Sequence, residues 1–171
     1  MLLEAPREGQ PQAIETLRAV MMRLFTSLPP GQIRFTILDP VGLGASFAGF
    51  MHAGDYQEAL VGGRIWTETA QIQQQLEDLT QHMENVIQKY LRNEFETIEQ
   101  YNQQAGELAE PYRFLVIAGF PTNFNEDAAR RLSSIIHSGP RCGVHTLIAY
   151  DTRGELPSGI DMEDVSAGRC G

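Results

Sequence analysis

The chain has two cysteines, one lysine and no long apolar run, and each scarcity removes a class of protein. Cys142 and Cys170 have no close spacing, so they neither frame a disulfide scaffold nor supply a metal quartet, and both read as reduced thiols. His52, His82, His137 and His145 show no HxxxH or HxH spacing and read as core or surface histidines. No apolar stretch approaches the roughly 18 residues of a membrane span. The N-terminus lacks a basic region followed by an apolar stretch and a small-residue cleavage site. A cytoplasmic location is therefore expected, without membrane contact by this segment. Positive charge is scarce too: 13 Lys and Arg stand against 22 Asp and Glu, for a net charge of -9 and a pI near 4.8. Affinity for a phosphate backbone comes largely from Lys and Arg displacing counterions, so direct nucleic-acid binding by the chain alone is disfavoured. The acid is concentrated, with nine Asp and Glu between Thr67 and Glu110 against only Lys89 and Arg92.

What is present is an ordinary globular composition, 42% hydrophobic and 20% charged over 171 residues, which predicts one domain over 1–171 with a core of its own. MLLEA at residues 1–5 reads as a short strand. Pro11 opens a helix whose Ile14, Leu17, Met21, Leu24, Phe25 and Leu28 recur at helical spacing, and Pro29-Pro30-Gly31 stops it. IRFTILDP, residues 33–40, is rich in β-branched and aromatic residues and reads as a second strand. Residues 41–66, with six glycines, read as loop-rich. From about Thr69 to Ala105 one long amphipathic helix is expected. Its seam is Ile72, Leu76, Leu79, Met83, Val86 and Tyr90, drifting to Ile87, Leu91, Phe95 and Ile98. FLVIAGFP, residues 114–121, is a third strand, Asn125 caps a further helix, and VHTLIAY, residues 144–150, is a fourth strand. The tail from Thr152 is polar and Gly-rich, with no convincing helix. Alternation of this kind predicts a three-layer α/β/α sandwich with a mainly parallel sheet.

Three local matches in this order resemble the FtsK/SpoIIIE family of DNA-translocating ATPases across almost the whole chain. IRFTILDP is similar to the family's second core strand, which ends in Ile-Asp-Pro-Lys, with Val41 in place of the Lys. HMENVIQKY and EQYNQQAGE are similar to a family helix carrying a Met-Glu and a Tyr-Asn pair at about the same separation. LVIAGFP followed by RLSSIIHSGPRCGVHTLIAY resembles the Walker B strand, a helix, a Gly-Ile-His step and a strand ending Ala-Thr-Gln. The resemblance implies a partial RecA-like P-loop core, with MLLEA central and the other strands ordered first, fourth, third, second. It stops at the fourth strand, where family members continue, so a fragment or truncated copy is expected.

Every catalytic position that the resemblance aligns is altered. A working phosphate loop reads G-x-x-x-x-G-K-[ST], its backbone amides cradling phosphates, its Lys reaching the outer ones and its hydroxyl holding magnesium. In EAPREGQPQA, residues 4–13, Gly9 fits the last glycine, but Gln10 stands for the Lys and Pro11 for the Ser or Thr. The Walker B acids, which would position magnesium and polarise the attacking water, are replaced by Ala118 and Gly119. Tyr150 and Asp151 replace the Thr-Gln sensor.

The resemblance therefore implies a degenerate ATPase module with a structural or regulatory role in a DNA-translocase-like assembly and no hydrolysis of its own. No catalytic residue, metal site or cofactor is expected. ATP and magnesium are the cofactors that the family itself implies, and Gly9 with Arg7 at a helix N-terminus is the candidate anion-binding turn. Expected partners are other proteins or other modules of the same translocase-like protein, with DNA contacted only through the assembly. One alternative is an ATP-binding translocase with unrecognised or neighbour-supplied catalytic residues. Another is an adaptor using the acidic helix 69–105 as a partner surface. Asp39 before Pro40 reads as a turn former, Cys142 as an inert thiol, and Arg130 with Arg131 as a solvated helix face.

Overall fold

Alternation of side chains along Ile33–Leu38 (β2) puts Ile33, Phe35 and Ile37 on one face and Arg34, Thr36 and Leu38 on the other. β2 belongs to a four-stranded sheet with Leu2–Ala5 (β1), Tyr112–Phe120 (β3) and Val144–Asp151 (β4). The computed structural model describes residues 1–29, 31–55, 60–92, 94–161 and 165; Pro30 and Cys170, singled out in the sequence, lie outside them. All three pairings are parallel and the order is β1-β4-β3-β2. This is the order expected, with one correction. MLLEA is not central: among the described residues β1 pairs with β4 alone and stands at the sheet edge, because no further strand lies outside it.

Helices cover both faces, so the expected three layers are present. Gln10–Ser27 (α1) lies on one face, where Leu17 and Met21 are fully buried against Phe35, Ile37 and Val116. Thr69–Val86 (α2) and Glu126–Ser138 (α4) lie on the other, over Leu38, Leu115, Ile117 and Ile148. The expected seam Ile72, Leu76, Leu79, Met83 and Val86 is the buried stripe of α2. Glu68 and Gln71 close its start in a reciprocal capping box. Asn125 caps α4 as expected, its side-chain oxygen accepting from the Ala128 amide at 2.9 Å.

The single helix expected over 69–105 is corrected to two. α2 runs into a π turn at Ile87–Leu91, the chain leaves helical geometry, and a second helix starts at Ile98–Ala105 (α3). Thr97 caps α3 in an extended conformation, its side chain accepting from the Gln100 amide, which marks a new beginning rather than a continuation. The drift of the seam, expected of one straight helix, does not distinguish it from this break. The turn back lets Tyr90, Phe95 and Tyr101 pack together, with ring centroids 4.4 Å apart for Tyr90 and Tyr101 and 5.6 Å for Phe95 and Tyr101. The segment read as loop also holds more order than expected. It contains a 3-10 stretch, Ala45–Asp55, anchored by fully buried Phe47, and Trp66 bridges to Leu38 at the end of β2.

Histidines are scattered rather than grouped: His52 and His137 are exposed, His82 and His145 half-buried. His145 lies against Phe114 and Tyr112, and burial lowers its pKa. His82, on α2, has its pKa lowered to about 4, first by burial and then by the Arg113 and Arg34 guanidiniums; Glu110 stands 3.9 Å away. A histidine neutral in the fold but protonated when unfolded contributes stability in full above pH 6.5. That contribution falls as pH drops towards 4, at up to about 1.4 kcal/mol per pH unit. Urea midpoints between pH 4.5 and 7.5 should fall more steeply for the parent chain than for His82→Gln. Equal slopes would contradict this assignment. Cys142 is buried, and burial raises its pKa against the pull of Arg141, so it is an unreactive thiol.

Candidate functional site

The carboxyl ends of the strands in an open α/β sheet are where ligands bind, and here they meet a cleft of about 530 Å³. Arg7, Gln10, Pro11 and Ile14 come from the β1–α1 region, Val41 from the turn after β2, Ala118, Gly119 and Thr122 from the end of β3, and Asp151 from the end of β4. Of the six positions marked in the sequence, five therefore line one cavity. Gly9 does not line it. It is the N-cap of α1, backed against Ala5, with its backbone in the helical region at φ -90°.

The turn between β1 and α1 has only four residues, 6–9, and Arg7–Gly9 winds into a 3-10 turn. Two of its amides are already in use: Gly9 N–H donates to the Pro6 carbonyl at 2.7 Å, and Gln10 N–H to that of Arg7. Pro11 contributes no N–H at all. A phosphate nest needs several free amides pointing into a concavity, and these three positions supply none. Gln10, which the resemblance sets at the lysine position, lines the cleft with both side-chain hydrogens engaged. Its Nε2 donates to the carbonyls of Ala5 at 2.8 Å and Tyr150 at 3.0 Å, tying the ends of β1 and β4 together.

The Walker B positions are deformed as well as uncharged. Ile117 pairs with Ile148 and Phe120 with Tyr150, so Ala118 and Gly119 together oppose Ala149 in a β-bulge. Gly119 takes φ +69°, and a Cβ there would fall 2.5 Å from Val41 Cγ2. Phe120, the residue the resemblance carries after the acids, precedes a cis peptide to Pro121 and packs edge-on against Phe124. Asp151 accepts from the Arg153 amide at 3.1 Å, and the Arg153 guanidinium pairs with Glu8 at 2.8 Å across the rim.

Asp39 is fully buried beside this region and is a turn former, as expected. Its Oδ1 accepts from Gly42 N–H at 2.9 Å and its Oδ2 from Ser46 N–H at 3.1 Å. Arg130 is exposed and paired with Glu126 and Asp127, and Arg131 reaches Glu77 at 3.5 Å, so this pair is a solvated face. Among the described residues no group of three or more His, Cys, Asp or Glu is placed to hold a metal ion. No helix among them is long and apolar enough to cross a membrane. Thr122 and the Arg153–Glu8 pair were not visible in the sequence, because turn residues have no periodicity and long-range ion pairs leave no spacing.

No family model matches the chain, and no curated protein does. Solved structures do. The cytoplasmic domain of the type VII secretion ATPase EccC from Thermomonospora curvata aligns over 98% of this chain with a TM-score of 0.68 and 20% identity. ATPases 2 and 3 of EssC from Geobacillus thermodenitrificans align over 96% with a TM-score of 0.66 and 14% identity. The pCW3 conjugation coupling protein TcpA, in a monomer form with ATPγS, aligns over 98% with a TM-score of 0.68 and 14% identity. The fold is that of a partial RecA-like P-loop ATPase core. The chain spans 19%, 30% and 46% of those three structures. In this fold the cleft stands at the carboxyl end of the sheet.

Proposed function

We propose that the chain is a degenerate ATPase-fold module, structural or regulatory in role, that does not hydrolyse ATP and works beside other modules of an FtsK/SpoIIIE-like assembly. The observation that carries this reading is the convergence of the altered positions. Gln10, Pro11, Ala118, Gly119 and Asp151 line one cleft, whose apolar walls are Pro11, Ile14, Val41 and Ala118 and whose lining includes no lysine. Hydrolysis of a phosphoanhydride depends on positioning and charge stabilisation, and the lining offers only two charged side chains for it, Arg7 and Asp151, the latter already accepting from the Arg153 amide. One of the similar structures holds two ATPase units of a single protein, numbered 2 and 3. A unit placed beside others is the context proposed here, in the cytoplasm, with DNA touched only through the assembly.

The test is turnover of ATP by the purified chain with and without magnesium, alongside titration of a fluorescent ATP analogue. No phosphate release above buffer is expected. Magnesium-dependent turnover that disappears in Arg7→Ala or Asp151→Asn would refute the proposal and favour the reading of an active translocase with unrecognised residues.

A further inference from the structure

The opposite end of the sheet carries a second cluster, independent of the cleft. Arg34 and Arg113 each follow the first residue of their strand and are register partners on β2 and β3, so their side chains leave one face about 4.8 Å apart. It is the α2 face, shared with Leu38, Leu115 and Ile117. Both arginines are half-buried, and His82 of α2 lies within the field of both. No hydrogen bond or ion pair to another described residue engages either guanidinium, and Arg113 Nε is shielded from water without a partner.

The nearby carboxylate is Glu110, and it is held elsewhere. Asn102 clamps its backbone N–H and C=O at 2.8 and 2.9 Å, and Tyr90 O–H donates to its Oε2 at 3.5 Å. Two neighbouring cations, partly removed from water and facing one carboxylate that pairs with neither, are costly unless another anion joins them. In a chain of net charge -9 this is local positive charge, two guanidiniums that the one Glu110 carboxylate offsets only in part. Planar guanidinium forks side by side match the oxygens of a tetrahedral anion.

We propose that Arg34 and Arg113 form a binding site for a small oxyanion of the phosphate class, with Glu110 as the group it competes against. Isothermal titration with inorganic phosphate at constant ionic strength and pH 7.5, with chloride as reference, tests this. Saturable binding is expected, weakened at least tenfold in Arg34→Gln and in Arg113→Gln. It should be unchanged in Arg130→Gln, on the solvated face, and strengthened several-fold in Glu110→Gln. Methyl phosphate binding as well as phosphate identifies a phosphate ester as ligand; phosphate alone identifies the free anion. Should Arg113→Gln not fold, Arg34→Gln on the edge strand and Glu110→Gln decide. Absence of saturable binding, equal binding by parent and arginine variants, or weakening by Glu110→Gln would each overturn the proposal.

Discussion

Gly119→Glu, which returns the second Walker B carboxylate, is expected to lower stability by about 2 to 3 kcal/mol and to produce no ATP turnover. A residue with a Cβ at φ +69° costs about 1 to 2 kcal/mol in the left-handed region, and this Cβ also meets Val41 Cγ2 at 2.5 Å. The two contributions separate experimentally. Val41 is 60% exposed, so Val41→Ala alone should change stability by no more than about 0.5 kcal/mol. In the double variant the clash disappears and the backbone cost stays, so roughly half the loss should return. Urea unfolding of the four chains gives the coupling directly. A coupling of zero would show that Val41 does not fill the space a Walker B side chain needs. Turnover stays absent because Gln10 still stands without a lysine's charge and the Gly9 and Gln10 amides remain bonded to the Pro6 and Arg7 carbonyls.

Asp39→Ala should cost about 3 kcal/mol, a large share of the 5 to 15 kcal/mol typical of a domain. The carboxylate is fully buried and accepts two backbone amides, and hydrogen bonds to a charged group contribute about 1.5 to 3 kcal/mol each. Removing it leaves the Gly42 and Ser46 amides without acceptors. Asp39→Asn keeps one acceptor and sets an NH₂ against the other amide, so its loss should be intermediate. Hydrogen exchange should accelerate at Gly42 and Ser46 before the rest of the sheet. A neutral Asp39→Ala would refute the turn assignment.

The parts of the fold legible in the sequence were those with a period. The β-branched and aromatic run IRFTIL, the apolar run FLVIAGF and the stripe Ile72 to Val86 each became a strand or helix as expected, while the order of the strands was legible only through the family resemblance. The break between α2 and α3 was written as a drift of the seam, which a straight helix and a turned one share until Thr97 caps. In the site, residue identities at Gln10, Pro11, Ala118 and Gly119 were readable through a resemblance, but their geometry was not. No spacing announces that a glutamine amide reaches two carbonyls, or that Ala118 and Gly119 bulge. The Arg34–Arg113 pair did leave a trace, in the matching Ile-Arg-Phe and Tyr-Arg-Phe starts of two strands, visible only once their register is known.

Gln10 also bears on whether this cleft can act as a switch. A ligand shifts a conformational equilibrium only by preferring one arrangement over another. The Gln10 amide has both hydrogens on carbonyls of different strands, and flipping it would set its oxygen against both. The side chain that would sense phosphate in an active core thus acts here as a clasp with one setting. Under the proposed function, any message the chain relays must enter through another surface, because Gln10 holds this cleft in one setting.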